Sequence, residues 1–214
     1  MKTLNNLRGK FITFEGNEGS GKSTQSKLFV EYLNNNGIEA VWSREPGGCD
    51  SAEEIRKLLL TGSINNWDNI TELLLMYASR REHTEKKIKP LLAKGVTVIC
   101  DRYMDSSLAY QGFGEGVSLD DIKSIRNIVL KDFKPDLTFI FDLSVEVGLQ
   151  RAKKRGETNR FEDMELQFHN NVKKGFEYVY NTEKERCIKI GVLDKTIENI
   201  TEELIEKSLD FFNK

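Results

Sequence analysis

The chain has 214 residues, of which 38% are hydrophobic and 31% charged, with 32 Lys and Arg against 34 Asp and Glu for a net charge of −2. That length predicts one well-filled domain spanning 1–214. Nothing in this near-neutral balance suggests a broad nucleic-acid or membrane surface, so any functional positive charge should be concentrated locally.

Strand-like and helix-like segments alternate along the chain, which predicts an α/β fold with a parallel sheet covered on both faces. The first strand reads over Lys10–Glu15 and runs directly into Gly16-Asn17-Glu18-Gly19-Ser20-Gly21-Lys22-Ser23, the pattern G-x-x-x-x-G-K-[ST]. A helix over Lys22–Asn35 follows, with Thr24 in its first turn, and Gly37 marks its end. The strand–loop–helix setting is what a phosphate-cradling loop requires. Its glycines let several backbone N–H groups converge on one phosphate, and the positive end of the helix adds to that field. Lys22 is predicted to reach the outer phosphates and Ser23 to ligate Mg²⁺ beside a bound nucleoside triphosphate.

The second strand, Glu39–Ser43, leads into Arg44-Glu45-Pro46-Gly47-Gly48. Helices are predicted over Ser51–Thr61, carrying Arg56, and over Trp67–Lys94, where Met76, Tyr77 and Arg80 share one face. The third strand, Val96–Asp101, ends on a carboxylate followed at once by Arg102. A helix over Leu119–Lys131 stops before Pro135, and Leu137–Asp142 is the fourth strand. Helices over Val145–Arg155 and Asp163–Tyr180, a weaker strand over Arg186–Gly191, and a helix over Thr196–Phe212 complete the chain. The stretch 151–162 gathers Arg151, Lys153, Lys154, Arg155 and Arg160 around Gly156 with few apolar residues, a composition that predicts a mobile basic flap. Trp42 and Trp67 read as packing anchors. The three cysteines, Cys49, Cys100 and Cys187, fit neither a disulfide framework nor a zinc pattern. That cysteine usage predicts a reducing cytoplasm, and no apolar run is long enough to span a membrane.

A magnesium-bound nucleotide usually takes a second ligand from the acidic end of a neighbouring strand. Asp101 and Asp142 both qualify, and Arg102 favours Asp101 by setting a fixed cation beside the metal. Arg44, Arg56, Arg80 and Arg102 exceed what a plain ATP-hydrolysing module needs, and planar guanidinium groups suit phosphate and base edges. A second anionic substrate is therefore expected.

Four blocks carry a resemblance to a known family: Phe14–Gln25, Arg44–Gly48 with Glu54-Ile55-Arg56, Ala78–His83, and Asp101–Gly112. From about Lys10 to the C-terminus the chain resembles bacterial thymidylate kinases. The resemblance implies transfer of the γ-phosphate of ATP to dTMP, with Mg²⁺, on a nucleoside-monophosphate-kinase fold. Its five parallel strands would run in the order 2-3-1-4-5, usually in a homodimer. It implies that Glu18 meets the acceptor sugar, that Arg44, Arg56 and Arg102 hold the acceptor phosphate, and that Glu45 lies near it or the metal. Arg80 and Gln111 would address the thymine edge, with Ser107 and Tyr110 lining the pocket. Gly19 beside Glu18 places the chain with members that keep the catalytic arginine in the flap, or LID, so Arg155 and Arg160 are its candidates and Arg151 a weaker one. Met76 stands where the family usually has a Phe over the base, which leaves a kinase for another nucleoside monophosphate as the alternative. A P-loop ATPase or switch is the alternative from a different class.

Overall fold

The computed structural model describes residues 3–63, 66–156, 161–162 and 164–214. Strands β1 (Phe11–Gly16), β2 (Ala40–Arg44), β3 (Thr97–Asp101), β4 (Leu137–Asp142) and β5 (Cys187–Gly191) form a parallel sheet in the order β2-β3-β1-β4-β5. β1 is central and buried along its whole length, the condition under which a parallel strand reads as a continuous apolar run. Its side chains alternate between faces. Ile12 and Phe14 pack with Phe29 and Leu33 of α1 (Lys22–Asn35). Thr13 and Glu15 face the other way, where the Thr13 and Thr138 hydroxyls lie 2.7 Å apart.

Helix α2 (Asp50–Leu60) is followed by α3 (Asn69–His83), which Asp68 caps by accepting from the Ile70 and Thr71 N–H groups. The helical path continues through a wider turn at Thr84–Ile88 into α4 (Lys89–Ala93), so the segment read from sequence as one long helix is one path with a local change of winding. The sequence reading placed no element at α5 (Met104–Ser107) or at the π-wound turn Leu108–Gly114 that extends it. That segment is small-residue-rich and lacks a clean helical stripe, and π turns of this sort cluster at functional sites. α6 (Leu119–Leu130), α7 (Val145–Arg155, capped by Ser144), α8 (Leu166–Thr182) and α9 (Ile197–Phe212, capped by Thr196) complete the covering layers.

Leu204 and Ile200 of α9 join α1 on one face of the sheet. On the other, Leu73 and Tyr77 of α3 pack with Phe168, Val172 and Phe176 of α8 and with Ile122 of α6. Within the predicted flap, the described residues show the helix that the sequence reading placed over Val145–Arg155, and 157–160 lie outside the described residues. Arg151–Arg155 continue α7, Ala152 is buried, and Phe161 is buried edge-on against Tyr110 with ring centroids 5.9 Å apart. Two apolar side chains anchor the described ends of a segment that its charge makes look unanchored.

Candidate active site

A parallel sheet binds ligands beyond the carboxyl ends of its strands, and here those ends open into a cleft of about 650 Å³. β1 delivers the phosphate loop. Gly21 adopts φ 89° immediately before α1, a left-handed turn that glycine makes without a Cβ penalty. Gly19, at φ 66°, backs onto α7 so closely that a Cβ there would overlap the Gly148 carbonyl. An arginine at this loop position has no room, which is a physical reason for Gly19.

Lys22 is buried, and its ammonium group donates to the Asn17 carbonyl at 2.7 Å and to Ser20 Oγ at 3.3 Å. Burial and the neighbouring Arg102 lower its pKa to about 8, although Glu18, Asp101 and Glu15 pull the other way. The loop therefore holds a charge that an incoming phosphate would stabilise. Ser23 Oγ donates to Asp101 Oδ2 across the β1–β3 junction. One hydroxyl and one carboxylate are hard oxygen donors. They suit a cation that brings most of its shell as waters and nucleotide oxygens. Among the described residues no cluster of three or more His, Cys, Asp or Glu is arranged to hold a metal. Asp142, the other strand-end carboxylate, ends β4 and pairs with Lys173 at 3.3 Å.

Arg102 follows β3 with φ 70°, a left-handed conformation uncommon for a residue with a Cβ. Its backbone N–H donates to the Phe14 carbonyl at 2.9 Å. Arg102 Nη2 donates to Glu18 Oε1 and to the Tyr110 hydroxyl, both at 2.8 Å, and the Tyr110 hydroxyl donates to the same carboxylate oxygen at 2.8 Å. Burial alone would raise the Glu18 pKa. Arg102 first, then Lys22 and the Tyr110 hydroxyl, overcome that and hold it near 2. Burial opposes the Arg102 charge in the same way, and Glu18 reverses the effect to push its pKa up.

Arg44 and Arg56 line the same cleft. Arg44 Nη2 donates to Glu53 Oε2 at 3.2 Å, and Arg56 Nη1 to the Pro46 carbonyl at 2.6 Å, beyond the cis Glu45–Pro46 bond. Glu45 is buried, accepts from Arg80 Nε at 2.7 Å and lies 3.0 Å from His83 Nδ1. His83 Nε2 in turn meets Ser43 Oγ at 2.6 Å, so this histidine holds a turn in place. Arg80 also donates to Ser107 Oγ and to the Tyr103 carbonyl, both at 2.9 Å. Gln111 Nε2 donates to Glu72 Oε1 at 2.8 Å. Met76, Ser107, Tyr110 and Gln111 line the same cleft as Arg80. Tyr77, on the same helical face by spacing, turns inward and carries the Arg80 guanidinium 4.7 Å above its ring.

Gly16, Asn17, Ser20 and Thr24 lie along the loop and the start of α1. Of the flap arginines, Arg151 reaches the cleft. Arg155 closes α7, and its side chain, like all of Arg160, lies outside the described residues. Among the described residues, several participants were not singled out as site residues by the sequence reading, Trp42, Lys27, Glu15 and Glu72 among them. Trp42, read as a packing anchor, lines the cleft with Lys27, whose ammonium sits 4.8 Å above its ring. Glu15 accepts from Tyr103 N at 2.7 Å and from Ser106 N and Oγ. Glu72 had a detectable signal, since it precedes Met76 and Arg80 at four-residue intervals on one helical face.

Comparison with known proteins agrees with this geometry. The thymidylate kinase family model matches residues 14–204. The chain is 47% identical over 200 residues to a thymidylate kinase of Wolbachia pipientis wMel, covering 92% of this chain and 98% of that one. It is 44% identical over 194 residues to a thymidylate kinase of Caulobacter vibrioides, covering 91% and 93%. Among solved structures, a thymidylate kinase from Ehrlichia chaffeensis superposes with a TM-score of 0.76 at 36% identity, covering 94% of this chain and 98% of its own. With the loop, the arginine-lined cleft and the 2-3-1-4-5 sheet in one molecule, this chain belongs to the thymidylate kinase family.

Proposed function

We propose that this chain is a thymidylate kinase that transfers the γ-phosphoryl group of ATP to the 5′-phosphate of dTMP, giving dTDP and ADP. One observation carries the reading: the phosphate loop, Arg44, Arg56 and Arg102 line a single cleft together with Arg80 and Gln111. Two anionic substrates meet there end to end. The acceptor phosphate is already an anion, so the attacking oxygen needs no general base. The barrier lies in bringing two polyanions together and aligning them.

Lys22 and the loop amides hold the donor phosphates, and Arg102 stands between the loop and the acceptor, where charge develops in transfer. Arg44 and Arg56 hold the acceptor phosphate. Glu18, ionised and fixed by Arg102 and Tyr110, faces the acceptor sugar. Met76 packs against the base. Ser23 and Asp101 hold Mg²⁺, which when bound neutralises charge on the donor phosphate oxygens. Arg155 and Arg160 of the flap, or less favourably Arg151, would complete the positive shell on closure. Closure also excludes water that would otherwise take the phosphoryl group. The chain acts as a homodimer, a reading supported by exposed Ile70 and Leu74 on α3 and Ile128 on α6, and sedimentation would report its mass directly.

A coupled assay with ATP and a panel of nucleoside monophosphates tests the activity. Preferred turnover of dTMP is expected. Preference for another acceptor, or ATP hydrolysis as fast without acceptor as with it, would overturn the assignment.

A further inference from the structure

We propose that Glu72 fixes which way round the Gln111 amide faces, and so makes Gln111 a reader of pyrimidines that present a ring N–H. This rests on the reading of the cleft as the dTMP site. Glu72 and Gln111 are both buried, and Gln111 Nε2 lies 2.8 Å from Glu72 Oε1. A carboxylate has acceptors only, whereas an amide has one end of each kind. With Glu72 behind it, Gln111 must turn its –NH₂ towards α3 and its Oε1 away. Among the described residues Gln111 Oε1 receives no hydrogen bond, it is not sealed from solvent, and Gln111 lines the cleft. The site therefore presents an acceptor at this point.

Arg80 supplies the complementary half. Its Nε, Nη1 and Nη2 each donate once, to Glu45, Ser107 and the Tyr103 carbonyl. A guanidinium has five N–H groups, so two remain for a ligand, and Arg80 lines the cleft. A donor beside an acceptor matches the imide edge of thymine or uracil, which offers a carbonyl oxygen next to N3–H. Cytosine reverses both groups, setting its amino group against arginine and its bare N3 against Gln111 Oε1. Without Glu72 the amide could rotate end for end at almost no steric cost, and cytosine would regain a partner at N3. Glu72 opposes that rotation by repulsion between oxygens, which is selectivity achieved against the wrong ligand. Glu72 is thus a positioning residue, and dTMP and dUMP, sharing one imide edge, pass the same filter.

The experiment compares kcat/KM for dTMP, dUMP and dCMP in the wild type, Glu72→Gln and Glu72→Asp. In Glu72→Gln the new amide can accept as well as donate, and the dTMP-to-dCMP ratio should fall by roughly tenfold or more, since an unpaired buried polar group is what drives such discrimination. Glu72→Asp keeps the acceptor-only chemistry on a shorter stem and should lower the ratio less than Glu72→Gln does. A merely structural role would lower kcat/KM for all three acceptors together. A wild type with no preference for dTMP over dCMP would overturn both this inference and the assigned substrate. A wild-type preference that survives unchanged in Glu72→Gln would overturn this inference alone. Should Glu72→Gln not fold, ¹⁵N-labelled dTMP bound to the wild type decides: its N3–H should exchange slowly with water, and exchange at the free nucleotide's rate would overturn the proposal.

Discussion

Glu15 grips Ser106 twice, accepting from its backbone N–H at 3.2 Å and from its hydroxyl at 2.6 Å. Ser106 Oγ also accepts from Arg102 Nη1 at 3.2 Å, and Arg102 reaches Glu18. A carboxylate at the end of the central strand thus sets the cation at the centre of the cleft through a single hydroxyl.

Glu15 also titrates unusually. Burial first, then the nearby Asp105, raises its pKa from an ordinary 4.5 to about 7, against the pull of its hydrogen bonds and Arg102. The folded protein therefore binds a proton that the unfolded chain releases. Its contribution to stability is complete below about pH 4.5 and is lost as pH rises through about 7. Glu15→Gln removes that titration, so denaturant melts at pH 5, 6 and 7 should show a shallower decline than in wild type. An unchanged slope would refute the assignment. Glu15→Ala leaves three donors without an acceptor and should cost about 1–3 kcal/mol of stability together with a drop in kcat.

Lys22 runs the opposite way, since burial and Arg102 lower its pKa to about 8. Its buried charge opposes folding below about pH 8, and the opposition fades as pH rises towards the ordinary 10.5. Bound triphosphate restores the charged form, so ATP binding at pH 8 to 9 should take up protons. Calorimetry in buffers of different ionisation enthalpy would detect the uptake, and its absence would contradict a Lys22–phosphate contact. Lys22→Ala should lower kcat by about 10²–10³ without lowering thermal stability.

Asp101→Asn keeps the size of the side chain that accepts from Ser23 but removes a negative charge from the proposed metal position. The Mg²⁺ concentration for half-maximal activity should rise by about tenfold or more, with a smaller rise for Ser23→Ala. A magnesium titration of the two variants checks the order.

Gly19→Ala introduces a Cβ into the Gly148 carbonyl at a positive φ. It should cost about 1–3 kcal/mol of stability and weaken ATP binding, because the loop and α7 must separate. Gly156→Ala, at φ 84° but with open space around it, should cost less. Thermal melts of both variants, with and without ATP, test the contrast.

Spacing along the chain was enough to place the phosphate loop, the carboxylate closing β3 and every strand of the sheet to within a residue. These features depend on local backbone geometry and on alternating or continuous burial, which neighbouring residues encode. The order of the strands and the roles of Arg44, Arg56, Arg80 and Gln111 entered through family resemblance, since periodicity carries no information about which strand lies beside which. The helical segment Met104–Gly114 and the anchoring of Phe161 were not legible, because neither shows a repeating stripe.

By itself the sequence determined that Gly16–Ser23 carries the pattern of a phosphate-cradling loop between a strand and a helix, and that the chain holds more arginines than such a loop needs. Only the tertiary structure decided what each charge is tied to: Glu18 to Arg102 across 84 positions, Glu15 to Ser106 across 91, Glu72 to Gln111 across 39. Such pairs form where crossover helices return distant segments to one end of the sheet. A buried charge selects its partner from whatever the fold brings within about 3 Å, and no local pattern records that choice.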